Sequence, residues 1–223
     1  MSGSEQRRAV IIVWMVLVLS IATSAQQPGT GHGRLFPPSD LGLLDAPDRD
    51  LWQRPDLIMD AMGIADGSVV ADIGAGSGWF TIRLARRVGP QGVVYAEDVQ
   101  PEMINAISRR VSREGFNNVK SVLGTMNDPK LAAQSLDAAL MVDSFHEVEE
   151  TNRVTMLVNL GKALKPQGRL GIVDFRLDGT GPGPAPEERV SPNVVITAAE
   201  RAGLKLLQQE PFLEYQYFLI FGK

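Results

Sequence analysis

The chain has 223 residues, of which 44% are hydrophobic and 22% charged, and its formal net charge is −4. This length is enough for one domain with a sizeable core and too short for two ordinary ones. The absence of cysteine excludes disulfides, thiol catalysis and thiolate metal sites, and His32 and His146 alone do not make a histidine-rich metal site. No long Lys/Arg-rich stretch is present, which argues against a nucleic-acid partner.

The N-terminus is typical of a targeting segment, which we assign to residues 1–25. Arg7 and Arg8 precede an apolar run over residues 9–22, and small residues follow it. This order is that of a secretory signal peptide, and the run is shorter than the roughly 20 residues of a spanning helix. We therefore predict a domain that is exported or membrane-anchored, with association through residues 9–25 if the segment is not cleaved.

Residues 26–50 are rich in Gly, Pro and Asp and have no periodicity, so we expect a linker or extended arm there. The folded domain is then expected over residues 51–223. Pro55 is placed to open its first helix, over residues 55–62, because proline is favoured in the first turn.

The stretch from Val69 to Phe80, VVADIGAGSGWF, predicts a strand, a glycine-rich turn and the start of a helix. Asp72 stands two positions before the first of the three turn glycines, Gly74, Gly76 and Gly78. Such a turn lets a ligand approach bare backbone at the mouth of a parallel sheet. The spacing is GxGxG, whereas the dinucleotide-binding turn has GxGxxG.

Strands and helices alternate after this turn, which predicts βαβ units and a parallel sheet. We expect helices over residues 81–88, 101–114 and 149–164, and strands over 93–98, 118–124, 136–143 and 169–175, with a turn over 165–168 before the last strand.

The C-terminal part departs from this alternation. A Gly/Pro-rich loop over residues 178–189 is either a substrate lid or a surface insertion. Ser191 is placed to cap a helix that runs to Ala202. Strands over 204–210 and 215–221 then follow without a helix between them, so we expect a closing antiparallel pair.

Four segments, VADIGAGSG, YAEDVQPEM, DSFHEV and LKPQGRLGIVDF, occur in an order and spacing that resemble the class I S-adenosyl-L-methionine (SAM)-dependent methyltransferases, and in particular the ubiquinone/menaquinone C-methyltransferase-like proteins. The resemblance implies an α/β, Rossmann-like fold: a seven-stranded, mostly parallel sheet with a C-terminal antiparallel pair and helices on both faces. It also implies SAM as cofactor and a small-molecule or lipid-like methyl acceptor. DRDLWQRPD and EYQYFLIF resemble a subgroup with an N-terminal signal or anchor, although SAM is made in the cytosol.

The resemblance also implies which residues contact SAM. Asp98 ends the second strand, where a carboxylate can accept both ribose hydroxyls. Glu97 competes with it, because only one of two adjacent strand side chains faces a ligand, and the family pattern favours Asp98. Asp72 either orders the turn and the methionine amino group or caps the turn. The glycines leave room for the ligand.

Two further segments are implied to complete the site. Backbone at Met126 and the side chain of Asn127 or Asp128 are expected at the adenine, with a loop-capping role as the alternative for Asp128. At the end of the fourth strand, Asp143 and Ser144 are candidate ligand-side groups.

His146 is the only histidine of the predicted domain, and its ordinary pKa near 6.5 suits a general base. The alternative is a packing residue at a helix start. Glu147 beside it is expected to be solvated.

Two other functions share parts of this pattern. A nicotinamide oxidoreductase would have the glycine turn and Asp98, but with GxGxxG spacing and no closing strand pair. A non-catalytic SAM-fold module that binds a lipid or partner outside the cytoplasm would show weak or absent SAM binding.

Overall fold

A computed structural model describes residues 34–179 and 181–223, so the predicted signal or anchor segment lies outside the described residues. The strands are β1 Val69–Ile73, β2 Val93–Asp98, β3 Val119–Leu123, β4 Leu136–Val142, β5 Leu164–Phe175, β6 Lys205–Glu210 and β7 Gln216–Gly222. The α-helices are α1 Arg49–Gln53, α2 Pro55–Ala61, α3 Trp79–Val88, α4 Pro101–Glu114, α5 Glu150–Ala163 and α6 Pro192–Arg201. Short 3-10 helices cover Pro38–Asp45, Phe145–Glu147 and Pro186–Glu188.

The seven strands form one sheet in the order β3-β2-β1-β4-β5-β7-β6. Neighbours from β3 to β5 pair in parallel, whereas β7 runs antiparallel to both β5 and β6. The predicted mixed sheet with its closing antiparallel pair is therefore confirmed. The strand order reverses direction between β1 and β4, and such a switch point opens a crevice at the carboxyl ends of the strands.

Each face of the sheet has its own apolar core. Along β4, Ala138, Leu140 and Val142 join the core beneath α2 and α3, whereas Ala139 and Met141 join the core beneath α5 and α6. This alternation follows from the two-residue period of a strand. The helices on both faces hold the sheet rigid, so that its carboxyl edge can present a site.

Among the described residues no helix is both long and apolar enough to cross a bilayer.

Strand β5 begins earlier than the sequence predicts. Leu136 of β4 pairs with Leu164, and Ala138 pairs with Arg169, so the intervening residues of β5 bulge out instead of forming a separate turn. Gly168 makes this possible, because a Cβ there would lie 2.8 Å from the carbonyl oxygen of Leu136.

Residues 34–50, expected as part of a linker or arm, contain a 3-10 helix and the start of α1, and they lie over the crevice. The amide of Phe36 donates to Glu147 Oε2 at 3.2 Å, and the side-chain amide of Gln100 donates to the carbonyl of Phe36 at 3.0 Å. Apolar side chains of this segment, including Leu44, line a pocket in this crevice. The partners in these contacts are distant in the sequence. Composition, which reflects only the segment itself, therefore indicated a linker.

Candidate active site

A pocket lies at the carboxyl ends of β1, β2 and β4, at the switch point of the sheet. We call it the inner pocket. Its walls come from the glycine-rich turn, the ends of β2 and β4, and the N-terminal segment, and they include Gly74, Gly76, Asp98, Met126, Asp143 and Leu44.

The glycine turn presents bare backbone to the inner pocket. Gly74 and Gly76 have φ values of +69° and +55°, a region that side chains with a Cβ avoid. A Cβ on Gly74 would lie 2.6 Å from Cβ of Ser144. Gly78, with φ of +77°, instead faces Ile107 of α4 and precedes α3, so it shapes the turn without lining the pocket.

Asp98 is held in position by backbone donors. Its carboxylate accepts hydrogen bonds from the amides of Gly76 and Gln100, both at 2.9 Å. Burial raises its pKa, and these hydrogen bonds oppose the rise. The carboxylate is thus fixed beside the glycine turn, where it can accept the hydroxyls of a ribose.

Glu97 also lines the inner pocket, so the expectation that only one of the two acids faces a ligand is wrong. Both residues belong to β2, and each carboxylate accepts a hydrogen bond from a backbone amide of the glycine turn, Glu97 from Gly74 and Asp98 from Gly76. Glu97 Oε2 accepts from the amide of Gly74 at 3.4 Å, whereas Oε1 is buried without a hydrogen-bond partner among the described residues. Burial, then the neighbouring charge of Asp98, raises the pKa of Glu97 to about 8.

This shift predicts a pH dependence of stability. The pKa of Glu97 rises from 4.5 to about 8, so the folded state binds the proton more tightly than the unfolded state does. The stabilisation of the folded state by the protonated Glu97 side chain is full below pH 4.5 and is lost as the pH rises through about 8. Glu97→Gln should therefore gain stability relative to the wild type at the upper end of this range, by about 1 kcal/mol or more.

Urea unfolding of both proteins across this pH range measures the effect. Glu102→Gln, at an exposed position of α4, is the matched control and should leave the pH profile unchanged. Parallel profiles of Glu97→Gln and the wild type would contradict the assigned shift.

Asp72 lies at the end of β1 and is buried. The hydroxyl of Thr81 in α3 donates to Asp72 Oδ2 at 2.6 Å, which ties the strand to the helix across the glycine turn. Burial raises the pKa of Asp72 to about 6, against the effect of this hydrogen bond. The hydrogen bond to Thr81 is the contact expected of a residue that caps the turn. Asp72 also lines the inner pocket.

The loop after β3 fits the sequence prediction only in part. Met126 lines the inner pocket, as expected for a residue near the adenine. Asp128 does not line it, so its assignment as a cofactor contact is not supported by its position. Its carboxylate accepts from the backbone amide of Lys130 at 2.9 Å and pairs with the Lys130 ammonium at 2.8 Å, which are the contacts of a loop cap.

Asp143 follows β4 and has a φ of +60°, a strained conformation for a residue with a Cβ. Arg49 Nη2 donates to its Oδ2 at 2.8 Å, and the side-chain amide of Gln216 donates to its Oδ1. Burial raises its pKa to about 6, against the charge of Arg49. Neither Arg49 nor Gln216 was predicted from the sequence as a site residue; the only local signal was that both lie in segments that resemble the family subgroup.

A second, larger cavity, the outer cavity, opens beside the inner pocket. Aromatic side chains of Trp52, Phe175 and Tyr215 contribute to its walls. Arg49, Asp143 and Glu147 line both spaces, as do Leu35, Phe36 and Leu44. The two spaces therefore meet at the end of β4.

His146 lines the outer cavity and not the inner pocket. Its Nδ1 lies 2.9 Å from Oδ1 of Asp174, a fully buried residue near the end of β5. Asp174 was not predicted from the sequence as a site residue, although an acid near the end of a buried parallel strand was the available signal.

Glu147 is not solvated, contrary to expectation. It lines both spaces, and the segment at Phe36 covers it. Burial raises its pKa to about 7, opposed by the charge of His146.

The inner pocket has the features that a nucleoside with an amino-acid tail requires. A carboxylate fixed by backbone donors lies at the end of β2, and bare glycine backbone lies at the end of β1. The same pocket is also lined by the charged residues Asp72, Arg49 and Asp143. Together with the strand order, this site defines a Rossmann-like protein of the class I methyltransferase type.

Comparison with known proteins agrees with this class. A family model described as "Methyltransferase domain" matches residues 70–168. The ubiquinone/menaquinone biosynthesis C-methyltransferase UbiE of Pasteurella multocida is 31% identical over 130 residues, which are 56% of this chain and 46% of that protein. An arsenite methyltransferase of Halobacterium salinarum is 31% identical over 111 residues, covering 50% of this chain and 28% of the relative.

A solved SAM-dependent methyltransferase from Aquifex aeolicus superimposes with a TM-score of 0.79 at 31% identity, covering 84% of this chain and 98% of that one. The chain therefore belongs to the SAM-dependent methyltransferase family. The cofactor that this family and fold imply is SAM. The chain spans about half the length of the UbiE protein it matches.

Proposed function

We propose that this protein transfers the methyl group of SAM to a small-molecule or lipid-like acceptor bound in the outer cavity. The observation that carries the proposal is the meeting of the two spaces at the end of β4, where Asp143 and Glu147 line both. A donor in the inner pocket and an acceptor in the outer cavity would thus be adjacent.

We assign individual residues to parts of the cofactor from their positions around the inner pocket. Asp98 would hold the ribose, and Met126 would lie at the adenine. The backbone at Gly74 and Gly76 would support the methionine chain that is attached to the ribose. When bound, SAM supplies a methyl group on a sulfonium sulfur, which is a good leaving group. The protein then contributes mainly alignment of the acceptor with the methyl group and exclusion of water.

The acceptor of any one relative does not transfer to this chain. The names of the two curated relatives cite quinone biosynthesis and arsenite, which have little chemistry in common. The aromatic side chains Trp52, Phe175 and Tyr215 suit an acceptor with an apolar or aromatic body. Export or membrane anchoring remains our proposal from the N-terminal sequence.

Calorimetric titration of the full chain with SAM and with S-adenosylhomocysteine tests the cofactor site. We expect both to bind, because they share the adenosine and methionine groups that the inner pocket would contact. Folded protein that binds neither would contradict the proposal and favour a non-catalytic module.

A further inference from the structure

We propose that His146 and Asp174 form an acid–base pair that takes a proton from the methyl acceptor, so that the acceptor reacts through an O–H or N–H group. The inference rests on the proposed methyl transfer and adds to it the class of the acceptor atom. It is carried by the geometry of the pair and by its place in the outer cavity.

Asp174 is oriented by three contacts in a site with no solvent access. Its Oδ2 accepts from the backbone amide of His146 at 2.9 Å, and its Oδ1 accepts from the backbone amide of Phe175 at 2.8 Å. The same Oδ1 lies 2.9 Å from Nδ1 of His146. A carboxylate held in this way keeps the proton of a neutral imidazole on Nδ1, and Nε2 is then the proton acceptor.

The position of His146 places its imidazole at the outer cavity, where the proposed acceptor would bind. His146 lines the outer cavity, and Ser144, two residues earlier, lines the inner pocket. The imidazole packs edge-on against Phe175, with ring centroids 6.3 Å apart, which restricts rotation of the ring. His146 therefore lies in the outer cavity, close to where this cavity meets the inner pocket.

The chemical step balances without a further reactant. The acceptor O–H or N–H gives its proton to Nε2 of His146 while its lone pair forms the bond to the methyl carbon. The bond between that carbon and sulfur breaks, and its electron pair stays on sulfur, which leaves S-adenosylhomocysteine. The imidazolium is stabilised by Asp174 and later releases the proton to water.

The surroundings of His146 are mainly acidic. Burial lowers the pKa of the imidazole, but the charge and hydrogen bond of Asp174, followed by the charges of Glu147 and Asp143, outweigh burial and raise the pKa to about 9. At this pKa the imidazole is mostly protonated at neutral pH, so the neutral form that accepts a proton becomes more populated as the pH rises. A sulfonium close to the ring would lower the pKa and so favour the neutral form. Other titratable or charged groups around the cavity or the pair are Arg34, Asp40, Asp48, Arg49, Arg153, Glu188, Glu214, Tyr215 and Tyr217.

The first test measures the pKa of His146 by NMR in the full chain with labelled histidine. The chain has two histidines, so His32→Gln leaves a single ring signal. SAM and S-adenosylhomocysteine are the matched ligands, since only SAM carries the sulfonium charge. We expect the pKa to be lower with SAM than with S-adenosylhomocysteine by about 1 or more, as for a like charge within about 6 Å.

Equal pKa values in the two complexes would place His146 away from the methyl group and overturn the inference while leaving the proposed function intact. Absence of any ligand effect on the protein would overturn the proposed function as well. The two failures are therefore distinguishable.

The second test compares the wild type with His146→Asn, using phenol and para-nitrophenol as probes. The Asn side-chain amide can still donate to Asp174 from the position of Nδ1, but it offers no base in place of Nε2. Transfer to phenol should fall about a hundred-fold or more, the usual contribution of a general base. The loss should be smaller for para-nitrophenol, which ionises without help.

Equal losses for the two probes, or no loss, would overturn the role of His146 as a base, and normal SAM binding with no transfer to either probe would overturn the acceptor class. Asp174→Asn tests the positioning role of Asp174. It should lower the pKa of His146 in the NMR titration and should lower kcat for phenol, with little change in the affinity for SAM. An unchanged pKa would contradict that role.

Discussion

Replacement of Gly74 by alanine is expected to abolish SAM binding and to lower the free energy of unfolding by about 2–4 kcal/mol. The φ of +69° costs a residue with a Cβ roughly 1–2 kcal/mol. The new Cβ would also lie 2.6 Å from Cβ of Ser144, and forcing that contact apart adds about 1–2 kcal/mol. The turn and the end of β4 would separate, and the inner pocket would lose its shape.

Gly63→Ala is the matched control for this prediction. Gly63 has nearly the same φ, +67°, but a Cβ there would have no atom within 4 Å. It should show only the cost of the backbone conformation, with SAM affinity unchanged. Urea unfolding measures the free energy of unfolding of the two variants, and calorimetric titration measures their affinity for SAM. Equal losses in both variants would mean that the contact with Ser144 is not decisive.

Replacement of Asp98 by alanine is expected to weaken the binding of both SAM and S-adenosylhomocysteine by about ten-fold or more, which is about 1.4 kcal/mol. Both ligands carry the ribose that Asp98 would hold, so their affinities should fall by the same factor. The variant also leaves the amides of Gly76 and Gln100 without their acceptor, which loosens the turn.

Asp128→Ala is the control, because this acid is paired with Lys130 and does not line the inner pocket. We expect its SAM affinity to match the wild type in the same calorimetric titration. Full affinity in Asp98→Ala would move the ribose contact to Glu97 or remove the cofactor assignment, and Glu97→Gln under the same conditions would separate these outcomes.

Much of the fold could be predicted because its signals are local. Strand Val93–Asp98 and helix Pro101–Glu114 have the bounds that the sequence indicated, since turn residues, Pro101 and Gly115 mark their ends. The bulge of β5 was not predictable in the same way. It depends on the approach of Gly168 to a strand more than thirty residues earlier in the chain.

The site residues show the same difference between local signals and long-range contacts. The inner pocket is lined by residues that the motifs indicated, namely Gly74, Gly76, Asp98, Met126 and Asp143, whereas Gly78 of the same turn does not line it. Glu147 was expected to be solvated, but the segment at Phe36 covers it. For Asp128 the sequence left a cofactor contact and a loop cap open, and its contacts with Lys130 are those of a loop cap.

The sequence by itself determined the class of fold, because the glycine turn and the order of strands and helices are local patterns, and its resemblance to known methyltransferases implied the family and the cofactor. Only the tertiary structure joined Arg49 to Asp143, 94 residues apart, and His146 to Asp174, 28 residues apart. Strand order decides which strand ends meet, and it brought β4 beside β5. Side-chain contacts then hold the N-terminal segment over the end of β4. The candidate proton-transfer pair and the cavity it faces exist only because of that assembly.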